Sequence, residues 1–101
     1  MATQLIQSTG KVIFVRAQDV GEGFGPPNDF IDAEAIVRLD SEPTRAMGFK
    51  LRNDANRVAR QAMFDLLRDA FENEIRTTID YEIDLDAGRT NGVLIRAWLT
   101  K

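Results

Sequence analysis

The sequence contains no cysteine and no histidine. Without cysteine there is no disulfide framework, no thiolate nucleophile and no thiolate metal ligand. Without histidine the chain lacks the usual general base near neutral pH, the commonest zinc ligand, and the Ser-His-Asp and Cys-His arrangements of many hydrolases. We therefore expect a protein that is not an enzyme, with no catalytic residue, no metal site and no cofactor.

Long apolar runs and basic blocks are also missing. The 13 basic and 16 acidic residues are spread along the chain and give a net charge of −3, which does not favour nucleic acid as a partner. No stretch approaches the ~18 apolar residues of a membrane span, and the first residues show no charged leader followed by an apolar segment. The sequence predicts no membrane insertion and a cytoplasmic location as written, or secretion if a leader has been removed.

The 101 residues predict one domain, residues 1–101, that begins with three strands. Residues 10–17 form a strand that is apolar on both faces, with Ile13 and Val15 on one face and Val12 and Phe14 on the other. In residues 31–40 apolar side chains alternate with polar ones, and Ile36 is the one apolar residue of the outer face. A turn at residues 41–44 leads to a third strand over residues 46–52.

Residues 53–74 predict a helix, because they contain no glycine or proline and a single β-branched residue. Asn53 or Asp54 is expected to accept the free amide groups at its start. On a helical wheel about half of the circumference is apolar and is expected to face the core: Val58, Ala59, Ala62, Met63, Leu66, Leu67 and Ala70.

Two further strands follow the helix. Residues 76–86 alternate between apolar positions and an acidic outer face, for which we expect exposure to solvent: Asp80, Glu82, Asp84 and Asp86. A calcium loop is disfavoured, since the ligands required downstream are missing. Asn91-Gly92 predicts a hairpin connection. In the fifth strand Val93, Ile95, Ala97 and Leu99 then face one way, and Leu94, Arg96 and Trp98 the other.

The order β-β-β-α-β-β predicts the fold class. Five short strands with one helix between the third and the fourth are typical of a small antiparallel barrel of the oligonucleotide/oligosaccharide-binding (OB) type. An open antiparallel sheet with the helix across one face is the alternative.

The helix also predicts a partner. Phe64 and Phe71 widen its apolar arc beyond what one packed surface needs, so we expect homo-oligomer formation along this face, with Met63 and Arg68 beside them. The alternative is that Phe64 folds down over the rim of the barrel and that Arg68 belongs to a solvated face.

Strand order, chain length and the narrow polar strip of the helix resemble the pentameric sugar-binding B subunits of bacterial toxins. The resemblance covers nearly the whole chain and consists of topology alone, with no shared motif, and the leader and disulfide of those subunits are absent. It implies ring assembly, with five copies, and glycan binding, and it carries no binding residue over to this sequence.

Two aromatic residues mark candidate ligand sites. Phe24 lies in the loop of residues 18–30 among three glycines and two prolines, with Asn28 after them, where loops on a rigid scaffold bind ligands. Trp98 shares a strand face with Arg96, and an exposed tryptophan is typical of stacking sites. The alternatives are that Phe24 plugs the end of the barrel and that Trp98 is buried beneath the helix.

The sequence therefore predicts a self-assembling binding module, with carbohydrate as the leading ligand class. A single-stranded nucleic acid binder of the OB type and a purely structural component of an oligomeric assembly are the alternatives.

Overall fold

The computed structural model describes residues 3–101. This part of the chain forms five strands and one α-helix, in the predicted order β-β-β-α-β-β. The elements are β1 (Gln4–Ala17), β2 (Ala35–Leu39), β3 (Glu42–Phe49), α1 (Arg57–Asn73), β4 (Arg76–Ile83) and β5 (Gly92–Leu99). Two connections matter below: loop L12, residues 18–34, with a short 3-10 turn at Pro27–Asp29, and loop L45, residues 84–91.

The strands pair in a closed, barrel-like ring in the order β1-β2-β3-β5-β4. β1 is long enough to serve two neighbours: its first half, from Gln4 to Lys11, pairs with β4, and its second half, from Val12 to Ala17, pairs with β2. The predicted first strand missed residues 4–9, which are polar except for Leu5 and Ile6. The pairing leaves a ring and not the open sheet that was the alternative.

The prediction of a purely antiparallel sheet was wrong for one pair of strands, β3 and β5, whose pairing we call the parallel seam. β3 and β5 are parallel, through Met47 with Gly92 and Gly48 with Val93. The reason is one of parity, because an odd number of strands cannot alternate in direction around a closed ring. Four antiparallel joins leave β3 and β5 pointing the same way, so the fifth join has to be parallel.

The interior of the ring is filled by side chains from every strand and from α1. The largest fully buried side chains are Tyr81, Phe49, Ile36, Leu39, Met47, Leu67, Ile79, Ile83, Val37 and Thr77. All of these except Ile36 and Thr77 belong to one core cluster, to which α1 contributes the buried Leu67 and Ala70. Removing this apolar surface from water, at ~25 cal/mol per Å², is the main favourable contribution to folding.

Tyr81 carries a polar group into this interior, and its hydroxyl is satisfied there. It donates to the Glu42 carboxylate over 2.9 and 3.0 Å and accepts from Arg45 Nη1 over 2.9 Å. Burial of the phenol, the largest cause, raises the pKa of Tyr81 above its usual value of 10.0. The tyrosine therefore stays neutral and keeps the hydrogen bonds that position Glu42 and Arg45 at the ring interior.

The helix is shorter and rotated relative to the prediction. It begins at Arg57, after the Asp54 carboxylate accepts from the backbone amide of Asn56 over 2.9 Å. It ends at Asn73, where Glu74 caps it with a left-handed φ of 52°. Val58 is 84% exposed, and Ala59 and Ala62 are exposed too, so their predicted place in the core was wrong. Leu67 and Ala70 are buried as predicted, and Met63 and Leu66 pack against the same core. Phe64 joins them, since a phenylalanine buries far more apolar surface than an alanine.

Two β-bulges change which side chains face inward. Tyr81 of β4 pairs with Leu94 of β5, and the preceding residue Asp80 pairs with Arg96. Ile95 therefore has no partner in β4 and forms a bulge in β5. Leu94 is consequently buried and Val93 exposed, which reverses the predicted facing of the first half of β5. A similar bulge at Ile13 places Val12 in the core and Phe14 on the outer face. The prediction that Val12 and Phe14 share one face was therefore wrong.

A second, smaller core lies outside the ring, under loop L12. It consists of Ile31, Ala33, Ile36 and Ala46, with Phe14 and Phe24 packed against it. Ile36, predicted as an apolar intruder on the outer face, is fully buried there because the loop folds back over this face. Pro43 is part of β3, so the predicted turn at residues 41–44 is confined to Asp40 and Ser41.

The acidic face of β4 is not uniformly exposed as predicted. Asp80 is 6% and Asp84 8% exposed, whereas Glu82 and Asp86 face solvent. β4 lies between β1 and β5, and the long side chains of both neighbours cover Asp80. Asp84 folds back to accept from the Ala87 amide over 3.1 Å, which shapes loop L45.

No helix in the described part of the chain has the length and apolar character needed to cross a membrane.

Candidate functional site

Loops L12 and L45 are joined by one buried carboxylate, that of Asp29. It accepts from Arg89 Nε and from the backbone amides of Thr90 and Asn91, each over 3.0 Å, and also from the Thr90 hydroxyl. Asn91 Nδ2 donates in return to the Asp29 carbonyl over 2.9 Å. Asn91 is therefore a link between loops and not the centre of the predicted two-residue hairpin turn. The junction fixes L12 on the ring.

The electrostatics of this junction favour a charged Asp29. Burial alone would raise its pKa, but the hydrogen bonds from Thr90, Asn91 and Arg89 together outweigh burial and hold the pKa of Asp29 below 3.8. Charge-assisted hydrogen bonds to a carboxylate are about twice as strong as neutral ones. These bonds anchor the 3-10 turn of the glycine-rich loop L12 to L45.

Within L12 the aromatic ring of Phe24 contacts two guanidinium groups. The backbone of Phe24 forms a two-way bridge with Ile31, over 2.9 and 2.7 Å, and the Gln18 side chain donates to the carbonyls of Gly23 and Ala33. The Arg16 and Arg38 guanidinium carbons each lie 5.8 Å from the centre of the Phe24 ring. Phe24 neither plugs the ring nor projects as a free plate; it covers the outer core.

Arg38 also lies 5.1 Å from the centre of the Phe14 ring. Phe14 and Arg16 of β1, Arg38 of β2 and Phe24 of L12 therefore form a row of alternating rings and guanidinium groups over the outer face of the two strands, and we call them the Phe–Arg ladder. Distances below ~6 Å are typical of cation–π contacts. Asn28, four residues after Phe24, is exposed in the 3-10 turn. Its side chain forms no hydrogen bond with another described residue.

Arg96 and Trp98 lie on a different face, across β1, β4 and β5. Their strand partners bring together a set that we call the polar platform: Gln7, Thr9, Thr78, Asp80, Arg96 and Trp98. Gln7 Nε2 donates to Asp80 Oδ1 over 3.0 Å, and Arg96 Nε lies 3.4 Å from Asp80 Oδ2. The side chains of Thr9 and Thr78 share a hydrogen bond of 2.9 Å.

The platform presents fixed polar groups next to an aromatic side chain. Asp80 is nearly buried and held from both sides, so its partners Gln7 and Arg96 are fixed in turn, while both remain exposed. Arginine has five N–H donors, and Arg96 forms an ion pair with Asp80 while its side chain is 61% exposed, which leaves its outer edge available. Trp98, beside Thr78, is partly buried and is the only tryptophan of the sequence.

The structure thus divides the predicted ligand residues between two places. Phe24 belongs to the ladder near the second half of β1, whereas Arg96 and Trp98 belong to the platform near the first half. Sequence reasoning missed Gln7, Asp80, Arg16 and Arg38, because a single strand pattern does not show which strands become neighbours. The alternation in β4 was the one available signal for Asp80.

The predicted interface residues on α1 are also divided. Met63 and Phe64 are partly buried and pack against the core of their own protomer, which agrees with the alternative for Phe64. Phe71 is 44% exposed, and the exposed Arg68 lies 3.5 Å from Asp65, its neighbour three residues earlier. On the opposite flank, α1 and β5 carry an apolar strip formed by the exposed Val58, Ala59, Ala62, Val93 and Ile95 and the partly buried Leu66. All of these except Val58 line two grooves between the helix and β5.

No three acidic side chains of residues 3–101 come close enough together to hold a metal ion. No family model, curated protein or solved structure matches this chain. The function is therefore argued from its own residues.

Proposed function

We propose that this protein is a non-enzymatic binding module of the OB type that binds carbohydrate on the polar platform. The observation that carries the proposal is the buried Asp80, fixed by Gln7 and Arg96 on the same face as Trp98. Sugars offer apolar C–H faces for an aromatic ring and hydroxyl groups for planar polar side chains. The platform supplies both kinds of partner on adjacent strands.

The OB assignment is supported by the five-stranded ring and by the helix between β3 and β4. OB barrels bind oligosaccharides and oligonucleotides on their strand faces and with the loops L12 and L45. In this chain Asp29 ties those two loops together, so the loop end of the ring is a rigid scaffold beside the strand faces. Fold alone does not give the ligand, and the platform chemistry is what favours a sugar.

Self-assembly is the second part of the proposal. Copies would meet along the apolar strip, where Val58, Val93 and Ile95 are 84%, 48% and 40% exposed. Since Phe64 packs inside its own protomer, the contact uses the opposite flank of α1 from the one that the sequence predicted. A ring of five copies is what the resemblance to toxin B subunits implies.

A glycan array followed by fluorescence titration tests carbohydrate binding. Because Trp98 is the only tryptophan, its emission reports directly on the platform. A sugar that stacks on the indole should shift the emission to shorter wavelength, and Arg96→Gln should weaken its binding about tenfold, as expected for one lost charge-assisted hydrogen bond.

Arg57→Gln is the matched control, since it removes the same charge from an exposed position on α1. Sugar binding should be unchanged in this variant. An array without hits, or hits that bind wild type and Arg96→Gln equally well, would contradict the platform as a carbohydrate site.

A further inference from the structure

The Phe–Arg ladder is a second arrangement with binding chemistry, on a different face from the platform. Cross-strand pairing sets its geometry: Phe14 pairs with Arg38, and Arg16 with Ile36, so the two arginines are diagonal neighbours on the outer face of β1 and β2. Each guanidinium lies 5.8 Å from the centre of the same Phe24 ring. Both cations thereby rest on one apolar support.

These two cations have no acidic partner among residues 3–101. Other arginines of the ring do have acidic partners: Arg45 pairs with Glu42 over 3.0 Å, and Arg52 with Glu34 over 2.8 Å. Arg16 and Arg38 form no such pair within the described chain. Like charges placed together repel each other unless an anion lies between them, so this arrangement is costly without a ligand.

Arg38 shows a second unusual feature. Its Nε atom is buried and has no hydrogen-bond partner among the described residues. A buried donor without an acceptor lowers the stability of the folded protein, and such donors are rare in native structures. An oxyanion that reached the guanidinium would supply acceptors on the same fork.

The support under the ladder is rigid. Phe24 is fixed by its backbone bridge to Ile31, and Gln18 and Asp29 hold the rest of L12 in place. A guanidinium that stacks on an aromatic ring keeps its N–H edge directed outward. Because the ladder is already ordered before a ligand binds, binding loses little conformational entropy, which favours affinity.

We propose that Arg16 and Arg38 form a binding site for a phosphate group, with Phe24 and Phe14 as the stacking support. Two guanidinium groups match the charge of a phosphate ester better than that of a single carboxylate, and arginine binds phosphate through paired N–H donors. The phosphate belongs either to a free phosphate ester or to the backbone of a single-stranded nucleic acid. The ladder contains no acidic side chain to accept from sugar hydroxyls, so a neutral sugar is not its ligand.

The test is a titration at low ionic strength with three probes: inorganic phosphate, thymidine monophosphate and a ten-nucleotide oligothymidylate. Binding is followed by calorimetry and by the ¹⁵N resonance of Arg38 Nε, which should move when an anion reaches the guanidinium. Arg16→Gln and Arg38→Gln should each weaken binding about tenfold, the loss of one charge-assisted contact. Equal affinity for all three probes identifies a free phosphate group as the ligand, and tighter binding of the oligonucleotide identifies a strand.

Arg57→Gln again controls for charge, because it changes the net charge by the same amount on another element. If it weakens binding as much as Arg16→Gln does, the attraction is non-specific and the proposal is overturned. Absence of binding to all three probes overturns it too. Should Arg38→Gln fail to fold, the exposed Arg16 decides the matter alone. Trp98 emission should stay unchanged throughout, so this result and that of the carbohydrate test are independent.

Discussion

At the scale of single residues, Asp29 is the side chain on which the loop end of the ring depends. Asp29→Asn removes the charge and replaces one acceptor oxygen by a donor that faces other donors. Hydrogen bonds to charged groups contribute ~1.5–3 kcal/mol each, so we expect the free energy of unfolding to fall by about 2–4 kcal/mol. Urea denaturation measures this loss.

Asp86→Asn is the control for this variant, since Asp86 is exposed in L45, the other loop of the junction. Its free energy of unfolding should lie within about 0.5 kcal/mol of wild type. An Asp29→Asn protein as stable as the control would mean that the junction between L12 and L45 adds nothing to stability.

The lowered pKa of Asp29 also predicts a pH dependence. A carboxyl group with a folded pKa below its unfolded value of 3.8 contributes stability that is complete above that value and is lost as the pH falls through the folded pKa. The stability gap between wild type and Asp29→Asn should therefore be widest near neutral pH and should narrow below pH 3.8. Denaturation curves for both proteins from neutral pH down into this range check it, and a constant gap would contradict the role of the charge.

At the scale of elements, α1 separates two phenylalanines that look alike in sequence. Phe64 packs against the core of the ring and Phe71 is 44% exposed. Phe64→Ala should lower the free energy of unfolding by about 2–3 kcal/mol, and Phe71→Ala by less than about 1 kcal/mol. Equal effects in thermal or urea unfolding would show that the two rings share one environment.

Much of the fold could be predicted from sequence, because hydrophobic periodicity reports local burial. It located every strand and the helix in the right order. Periodicity failed at Ile13 and Ile95. Each is one extra residue in its strand, so the side chains on one side of it point to the opposite face of the sheet from the one predicted. No residue type marks such a bulge in a single sequence.

The site was harder to predict than the elements. Asp80 belongs to an acidic pattern that is typical of a solvated face, and its burial depends on β5 and on β1, which lies far away in the chain. Arg16 and Arg38 become neighbours only through the pairing of β1 with β2. Trp98 and Phe24 could be identified singly, because aromatic side chains in a polar setting stand out without any knowledge of topology.

At the scale of the whole molecule, the apolar strip leads to a prediction about oligomeric mass. Val58→Glu puts a charge at the most exposed apolar side chain of the strip, so assembly through it should dissociate while the protomer stays folded. Sedimentation equilibrium of wild type and variant measures the change in mass. Val20→Glu, at a 62% exposed position in L12, is the matched control and should leave the mass unchanged.

A wild-type protein that sediments as a monomer at micromolar concentration would overturn self-assembly. A mass that Val58→Glu leaves unchanged would place the contact between copies somewhere else on the surface.

The parallel seam gives the ring an uneven resistance to opening. Within the described residues two pairs, Met47 with Gly92 and Gly48 with Val93, join β3 to β5, whereas β1 and β4 share eight. Local fluctuations break the shortest ladder first. The amide protons of the seam should therefore exchange with solvent deuterium well before those of β1 and β4. On the time scale of exchange, the ring should open between β3 and β5 while its other strand pairs stay formed.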